Sequence, residues 1–109
     1  MIQALKETIV HYSYLRDYGL NKWDAGDTSE PDYEKMYDDI GKDWDGVFCP
    51  LCKKYYCADC PLFENGYSCI DENSPYMKIY YSANWLEFSI ACNNMVYVLN
   101  KLIEKEKDK

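Results

Sequence analysis

The sequence predicts a small, mostly α-helical domain of three to four helices, with a cysteine-rich loop between the middle and the C-terminal helices. Three observations predict this fold class. Apolar residues recur at helical spacing near both ends of the chain, the alternation typical of β-strands is confined to very short stretches, and five of the six cysteines cluster between the helical regions. A length of 109 residues fits a single domain, residues 1–109.

The first predicted element is an amphipathic N-terminal helix within residues 1–19. Gly19 is expected at its C-terminal end, where glycine is common. The single histidine, His11, lies beside the apolar face, so we expect its side chain at the edge of the core or in solvent, with a metal ligand as the alternative. The apolar face itself consists of Ile2, Leu5, Ile9, Tyr12 and Leu15.

Residues 24–45 form an acidic segment that carries the whole net charge of the protein. Nine acidic and two basic residues give it −7, and the remaining ten acidic and ten basic residues cancel. A helix is expected to begin in this segment, with Ser29 as its N-cap and Pro31 in its first turn. Its apolar stripe comprises Tyr33, Met36, Tyr37, Ile40 and Trp44.

The charge of this segment has two interpretations. A solvated helix face is the common explanation of such a charge run. Alternatively, an acidic surface with aromatic residues attracts and binds a basic partner, and the aromatic side chains are its anchors if they are exposed. The residues predicted to bind the partner are Asp32, Tyr33, Tyr37, Asp38, Asp39 and Trp44.

Residues 47–70 form the cysteine-rich loop, in which two C-x-x-C pairs are followed by a fifth cysteine. Two sulfurs on one C-x-x-C turn can face a single ion, and two further thiolates complete a tetrahedron. Lys53 and Lys54, between the pairs, would offset part of the negative charge of the thiolates. We therefore expect the loop to be clasped by a structural zinc ion (Zn²⁺). Its ligands would be four of the five residues Cys49, Cys52, Cys57, Cys60 and Cys69.

Two other uses of the cysteines remain open. An iron–sulfur (Fe–S) cluster is one, because closely spaced C-x-x-C units that end in Cys-Pro also occur in ferredoxin-type proteins. A disulfide or a thiol-redox pair is the other. A closed four-sulfur zinc site has no open position for a substrate. With one histidine, no nucleophile–base pair and no phosphate-binding glycine loop, the sequence predicts no enzyme.

Residues 74–106 are expected to form the C-terminal helices. Ser74 begins a short helix, and Asn84 caps a longer one with Glu87 in the capping-box position. Cys92 lies in the middle of the apolar stripe, so we expect a buried small side chain rather than a ligand. The stripe consists of Trp85, Phe88, Cys92, Met95, Val96, Leu99, Leu102 and Ile103.

Charge and hydropathy disfavour several classes of partner. A net charge of −7 and a pI near 4.6 argue against non-specific binding to nucleic acid and to anionic membranes. No stretch has the length and hydropathy of a membrane span. Lys6 and Glu7 interrupt the apolar start, so no signal peptide is expected. Cysteines in a chain that is not exported are more typical of metal binding than of disulfides.

The cysteine motifs resemble those of small cysteine-rich proteins encoded by bacteriophages and prophages, mostly of unassigned function. The shared features are a C-x-L-C pair, a C-x-x-C-P turn, a glycine shortly before the fifth cysteine, and an S/T-P-Y helix start. They lie here at Cys49, Leu51, Cys52, Cys57, Cys60, Pro61, Gly66, Cys69, Ser74, Pro75 and Tyr76. Asp59 stands where glycine is frequent, and the acidic segment lies outside the shared pattern. The resemblance implies a phage origin and a cytoplasmic location in an infected or lysogenic bacterial host.

The predicted function is that of a phage-encoded, zinc-stabilised protein-binding module. Its expected partner is a host protein with a basic surface, for example an antiviral defence protein that it inhibits or modulates. We expect a monomer or a homodimer, with no direct contact to nucleic acid or membrane. An iron–sulfur or thiol-redox protein is the first alternative. A nucleic-acid-associated regulator that contacts its target through Lys53 and Lys54 is the second.

Overall fold

The computed structural model describes residues 1–44, 49–55, 60–69 and 71–108. This part of the chain contains six helices and no strand, which confirms the mostly α-helical fold class. None of these helices combines the length and the hydropathy needed to cross a lipid bilayer. The helices are α1 (Ile2–Asp24), α2 (Tyr33–Ile40), α3 (Pro50–Lys54), α4 (Pro61–Glu64), α5 (Pro75–Tyr80) and α6 (Trp85–Lys107).

The two long helices, α1 and α6, pack along each other in antiparallel directions. Leu5, early in α1, lines the same cavity as Leu102 near the end of α6. Further along α1, Arg16 Nη1 donates to Asn93 Oδ1 at 2.9 Å, and the Arg16 carbonyl accepts from Ser89 Oγ at 2.9 Å. The short helices complete the core with the buried side chains of Met36, Leu51, Leu62 and Ile79.

Gly19 marks a close approach of α1 to α6. The prediction that the helix ends at Gly19 is wrong, because α1 continues to Asp24. A Cβ at Gly19 would overlap Ser89 Oγ and lie 3.1 Å from Phe88 Cδ1. A residue without a side chain therefore lets the two helices meet at this level, and the glycine serves packing rather than helix termination.

α2 begins later than predicted. Asp32 and not Ser29 is its N-cap, since Asp32 Oδ1 accepts a hydrogen bond from Lys35 N at 3.1 Å. Ser29 N donates instead to Asp27 Oδ1 at 3.0 Å in the preceding loop. Serine and aspartate are both good N-caps, so the local sequence does not decide between them. Gly41 ends α2 with a φ of 67°, in the left-handed region that favours glycine.

Two short helices lie inside the cysteine-rich loop and raise the number of helices above the predicted three to four. Each begins with a Cys-Pro pair: Cys49 precedes Pro50 in α3, and Cys60 precedes Pro61 in α4. Proline suits the first helical position because an N–H there would have no partner within the helix. Helices of five and four residues are too short to show a helical period in the sequence.

The two C-terminal helices confirm the predicted caps and apolar stripe. Ser74 Oγ accepts from Met77 N at 3.2 Å, and Asn84 Oδ1 accepts from Glu87 N at 2.9 Å. Every residue of the predicted stripe on α6 is buried, Cys92 included. Burial raises the pKa of the Cys92 thiol, which therefore stays neutral in the core.

Candidate functional site

The cysteine-rich loop presents two of its thiols at the starts of short helices. Cys49 and Cys60 are the N-caps of α3 and α4, and they are only 3% and 6% exposed. Cys52, in α3, is exposed, and Cys69 is half-buried. None of these four forms a disulfide within the part of the chain that the structure describes. Cys57, the fifth predicted ligand, lies outside the described residues.

Hydrogen-bond donors surround the sulfur of Cys49. It accepts hydrogen bonds from the Cys52 thiol, from the backbone N–H groups of Cys52 and Leu51, and from the Tyr12 phenol. Donation by the Cys52 thiol has the largest effect, and together these donors lower the pKa of Cys49 although its burial opposes them. They therefore favour the thiolate, which is the form that binds a metal ion.

The other described cysteines of the loop lie within electrostatic reach of this pair. The pKa of Cys52 is raised first by its hydrogen bond to Cys49, then by burial and by the charges of Cys49, Cys69 and Cys60. Burial raises the pKa of Tyr12, and the charges of Cys49 and Cys69 raise it further. The thiols of Cys49 and Cys69 therefore lie within electrostatic reach of the phenol of Tyr12, a buried residue of α1.

The described residues do not assemble a complete metal site. Within residues 1–44, 49–55, 60–69 and 71–108, no three Cys, His, Asp or Glu side chains are arranged so that they could hold a metal ion. The Cys49 and Cys52 sulfurs are hydrogen-bonded to each other, as two ligands from one C-x-x-C turn would be close together, and the charges of Cys69 and Cys60 act on Cys52. Zinc binding by the loop stays a prediction.

Of the paired thiols Cys49 and Cys52, the one with the lowered pKa is buried, which does not suit thiol–disulfide exchange. Exchange starts from an accessible thiolate of low pKa. Here the thiol with the lowered pKa, Cys49, is buried, whereas the exposed Cys52 has a raised pKa. The burial of Cys49 disfavours attack by its thiolate on a disulfide of another protein.

His11 lies within the core, at 4% exposure, and not at its edge as expected. Its ring donates to the backbone carbonyl of Asp43, whereas Nε2 has no hydrogen-bond partner among the described residues, so Nδ1 is the donor. Burial, followed by the charges of Lys42 and Lys53, lowers the pKa of His11 to about 4. The neutral ring packs edge-on against Tyr12, with centroids 4.8 Å apart.

The lowered pKa of His11 predicts that the fold loses stability in mild acid. In the unfolded chain His11 binds a proton near pH 6.5, whereas in the folded chain it does so only near pH 4. Protonation of His11 therefore favours the unfolded state as the pH falls from 6.5 towards 4. Between about pH 7 and about pH 5, we expect the free energy of unfolding to fall by about 2 kcal/mol in urea denaturation. In His11→Gln, which does not titrate, the fall over the same pH range should be smaller by about 2 kcal/mol than in the unmodified protein, and an unchanged slope in that variant would contradict the assignment.

The carboxylates predicted to bind a partner have different surroundings. Asp39 is held within the fold, since its Oδ2 accepts from Tyr18 OH at 2.7 Å and its Oδ1 pairs with Lys35 Nζ at 3.7 Å. Asp32 is exposed but caps α2. Asp38 is exposed, and it neither caps α2 as Asp32 does nor pairs with Tyr18 and Lys35 as Asp39 does. Of these three carboxylates, Asp38 is therefore best placed to meet a partner.

Most of the predicted aromatic anchors are packed against the core. Tyr33 is half-buried, with its ring centroid 5.5 Å from that of Phe88 and 6.2 Å from that of Trp85. Trp44 is half-buried and lies 5.7 Å from Tyr33. Tyr37 is the exposed member of the predicted set, at 47%. The anchor role that the sequence suggests for three aromatic residues therefore suits Tyr37 best.

Two acidic residues outside the predicted set join the same surface. Glu34 and Asp43 line a shallow groove of about 380 Å³ together with Tyr37 and Asp38, and we call these four residues the acidic groove. Glu34 could have been found from its position one turn before Asp38 on α2. Asp43 follows the end of α2, and its approach to the groove depends on the path of the chain after Gly41, which helical periodicity does not reveal.

Comparisons with known proteins return no relative. No protein-family model matches the chain, and neither a curated protein nor a solved structure is significantly similar to it. The likeness to phage and prophage proteins therefore depends on the cysteine motifs alone.

Proposed function

We propose that this protein is a zinc-stabilised, non-enzymatic module that binds a partner protein with a basic surface. The observation that carries the proposal is the separation of charge along the chain: residues 24–45 hold −7, and all other residues sum to zero. Charge of one sign concentrated in one segment attracts a basic partner from solution and orients it on approach.

The acidic groove is the part of this segment best suited to contact. Glu34 and Asp38 are exposed one turn apart on α2, and the exposed ring of Tyr37 lies in the same groove. Carboxylates provide electrostatic complementarity, and an exposed aromatic ring provides apolar contact area. This combination supports the partner-binding interpretation of the charge run over a purely solvated helix face.

The zinc ion is proposed as a structural part of the fold. Thiolates of the cysteine-rich loop would hold it, and the hydrogen bond from Tyr12 to Cys49 would connect the metal to α1. A bound ion would stabilise the short helices α3 and α4, which cannot be stable by themselves. An Fe–S cluster on the same cysteines is the alternative, and it would colour the protein.

The resemblance to phage and prophage proteins supplies the proposed setting. The protein would be made in an infected or lysogenic bacterium and would bind a host protein there, such as one of antiviral defence. An acidic groove suits inhibition by occlusion, because a host protein that acts on nucleic acid exposes a basic surface.

Reversing charge in the acidic groove is expected to weaken binding of a basic partner. In Glu34→Lys/Asp38→Lys, association with immobilised octalysine should be about tenfold slower and less dependent on salt, because two attracting charges become repelling. Asp39 is left unchanged because Tyr18 donates a hydrogen bond to it. Surface plasmon resonance over a salt series measures both effects.

The control is Glu7→Lys/Glu104→Lys, which changes the net charge equally at exposed positions of α1 and α6. Equal weakening in the two double variants would indicate general attraction and contradict a role of the groove. If neither double variant changes the binding of octalysine, the proposed partner-binding function is wrong.

A further inference from the structure

Four aromatic side chains form a partly exposed surface beside the acidic groove. We call Trp44, Tyr76, Tyr80 and Tyr81 the aromatic shelf. The Trp44 ring centroid lies 5.7 Å from that of Tyr76 and 5.3 Å from that of Tyr80, and the Tyr80 and Tyr81 centroids are 4.9 Å apart. Tyr80 and Tyr81 are 50% and 64% exposed. The four rings contact one another in series, and those of Tyr80 and Tyr81 still present about half of their surface or more to water, whereas Trp44 and Tyr76 are half-buried.

The aromatic shelf and the acidic groove meet at Asp43 and Trp44. Trp44 N donates to Asp43 Oδ1 at 2.7 Å, and Asp43 lines the acidic groove. Tyr33, which contacts Trp44, is affected by the same carboxylate: burial raises the pKa of Tyr33, and the charge of Asp43 contributes to the rise. Negative charge and aromatic ring faces are therefore adjacent on this surface.

Several tyrosine rings elsewhere are covered by lysines of the same chain. The Nζ atoms lie 4.6 to 5.7 Å from the ring centroids, at distances typical of cation–π contacts. The covered rings are those of Tyr14, Tyr18, Tyr55 and Tyr97. Among the described residues, no lysine or arginine lies in this way over Trp44, Tyr80 or Tyr81. As far as the described residues go, the faces of Trp44, Tyr80 and Tyr81 are therefore available to a cation from another molecule.

We propose that the aromatic shelf binds an arginine side chain of the basic partner, with the carboxylates of the acidic groove pairing with the same segment. This inference depends on the proposed function and names the chemistry of the partner. Arginine suits the site better than lysine, because its planar guanidinium stacks on ring faces and donates two parallel hydrogen bonds to a carboxylate. An ammonium group is a strongly hydrated point charge without that geometry. The occupant is thus an arginine-bearing segment of a protein.

Tryptophan fluorescence of the full chain, titrated with octa-arginine and with octalysine, tests the inference. The two peptides carry equal charge and differ in the head group. We expect octa-arginine to bind about three- to fivefold more tightly, because the guanidinium adds stacking on the ring faces and paired hydrogen bonds to a carboxylate that an ammonium group lacks. The emission change should disappear in Trp44→Phe. The two tryptophans that remain in that variant, Trp23 and Trp85, are not part of the aromatic shelf.

Leucine at the shelf removes the aromatic face and keeps an apolar side chain. Tyr80→Leu/Tyr81→Leu should abolish the preference for arginine and leave octalysine binding nearly unchanged. Tyr80→Phe keeps the ring and should keep the preference. Tyr97→Leu is the matched control, because Tyr97 is 57% exposed on α6 and already has a lysine over its ring. If the double variant does not fold, Tyr81→Leu alone serves, since Tyr81 is the most exposed residue of the aromatic shelf.

The outcomes separate this inference from the proposed function. Equal affinity for the two peptides, or a preference that survives the leucine variants, overturns arginine binding by the shelf and leaves the acidic groove as the site. Failure of both peptides to bind at low salt, or binding that Glu34→Lys/Asp38→Lys does not weaken, overturns the proposed function itself.

Discussion

Replacing Trp85 with alanine is expected to lower the free energy of unfolding by about 3 to 5 kcal/mol. The side chain is 1% exposed at the first residue of α6, and its ring lies 5.3 Å from that of Tyr18 and 5.4 Å from that of Phe88. Truncation would leave a cavity where Gly19 brings α1 close to α6. Domains of this size are stable by roughly 5 to 15 kcal/mol, so the variant would lose much of its total stability.

Urea denaturation followed by circular dichroism measures this loss. Trp23→Ala is the matched control, because Trp23 is half-buried near the end of α1. Its replacement should cost less than half as much, since less apolar surface returns to water. Trp85→Phe should recover part of the stability. Equal losses in the two alanine variants would contradict the position of Trp85 in the centre of the core.

Replacing Cys49 with alanine is expected to release the metal and to destabilise the protein far more than replacing Cys92. Both thiols are buried, at 3% and 0% exposure. If each thiol only fills space, each alanine costs about 1 to 2 kcal/mol. If Cys49 is a metal ligand, its loss also removes the free energy of metal binding from the folded state, and we expect at least about 3 kcal/mol more.

Metal analysis and urea denaturation of the two variants, purified side by side, distinguish these cases. Cys92→Ala should retain the metal content of the unmodified protein, whereas Cys49→Ala should lose it. Two variants with equal metal content and equal stability would show that Cys49 is a core side chain like Cys92.

The helices that could be predicted from the sequence are those in which a cap residue is followed by an apolar stretch. Ser74 and Asn84 each stand at a cap position before an apolar stretch, and both caps form as predicted. The end of α1 could not be predicted in this way. Glycine is typical of helix ends, but Gly19 lies within α1, where it allows close packing against α6. The choice between Ser29 and Asp32 as N-cap likewise depends on where the tertiary structure places the chain.

The composition of the candidate surface was predictable, but its geometry was not. Counting charges locates the acidic segment without any structure. The exposure of its aromatic residues depends on partners far along the chain: Tyr33 packs on Phe88, and Trp44 packs on Tyr80. Spacing similarly predicts metal binding by the cysteines, but it does not reveal that a tyrosine of α1 donates a hydrogen bond to Cys49.

Native mass spectrometry of the freshly purified protein, before and after treatment with a strong chelator, tests most directly whether the cysteine-rich loop holds a zinc ion on which the fold depends. We predict the mass of the chain plus one zinc ion, a colourless sample with its thiols reduced, and a large fall in melting temperature once the chelator has removed the ion. A metal-free mass with intact thiols, together with a melting curve that the chelator does not change, would contradict the central claim.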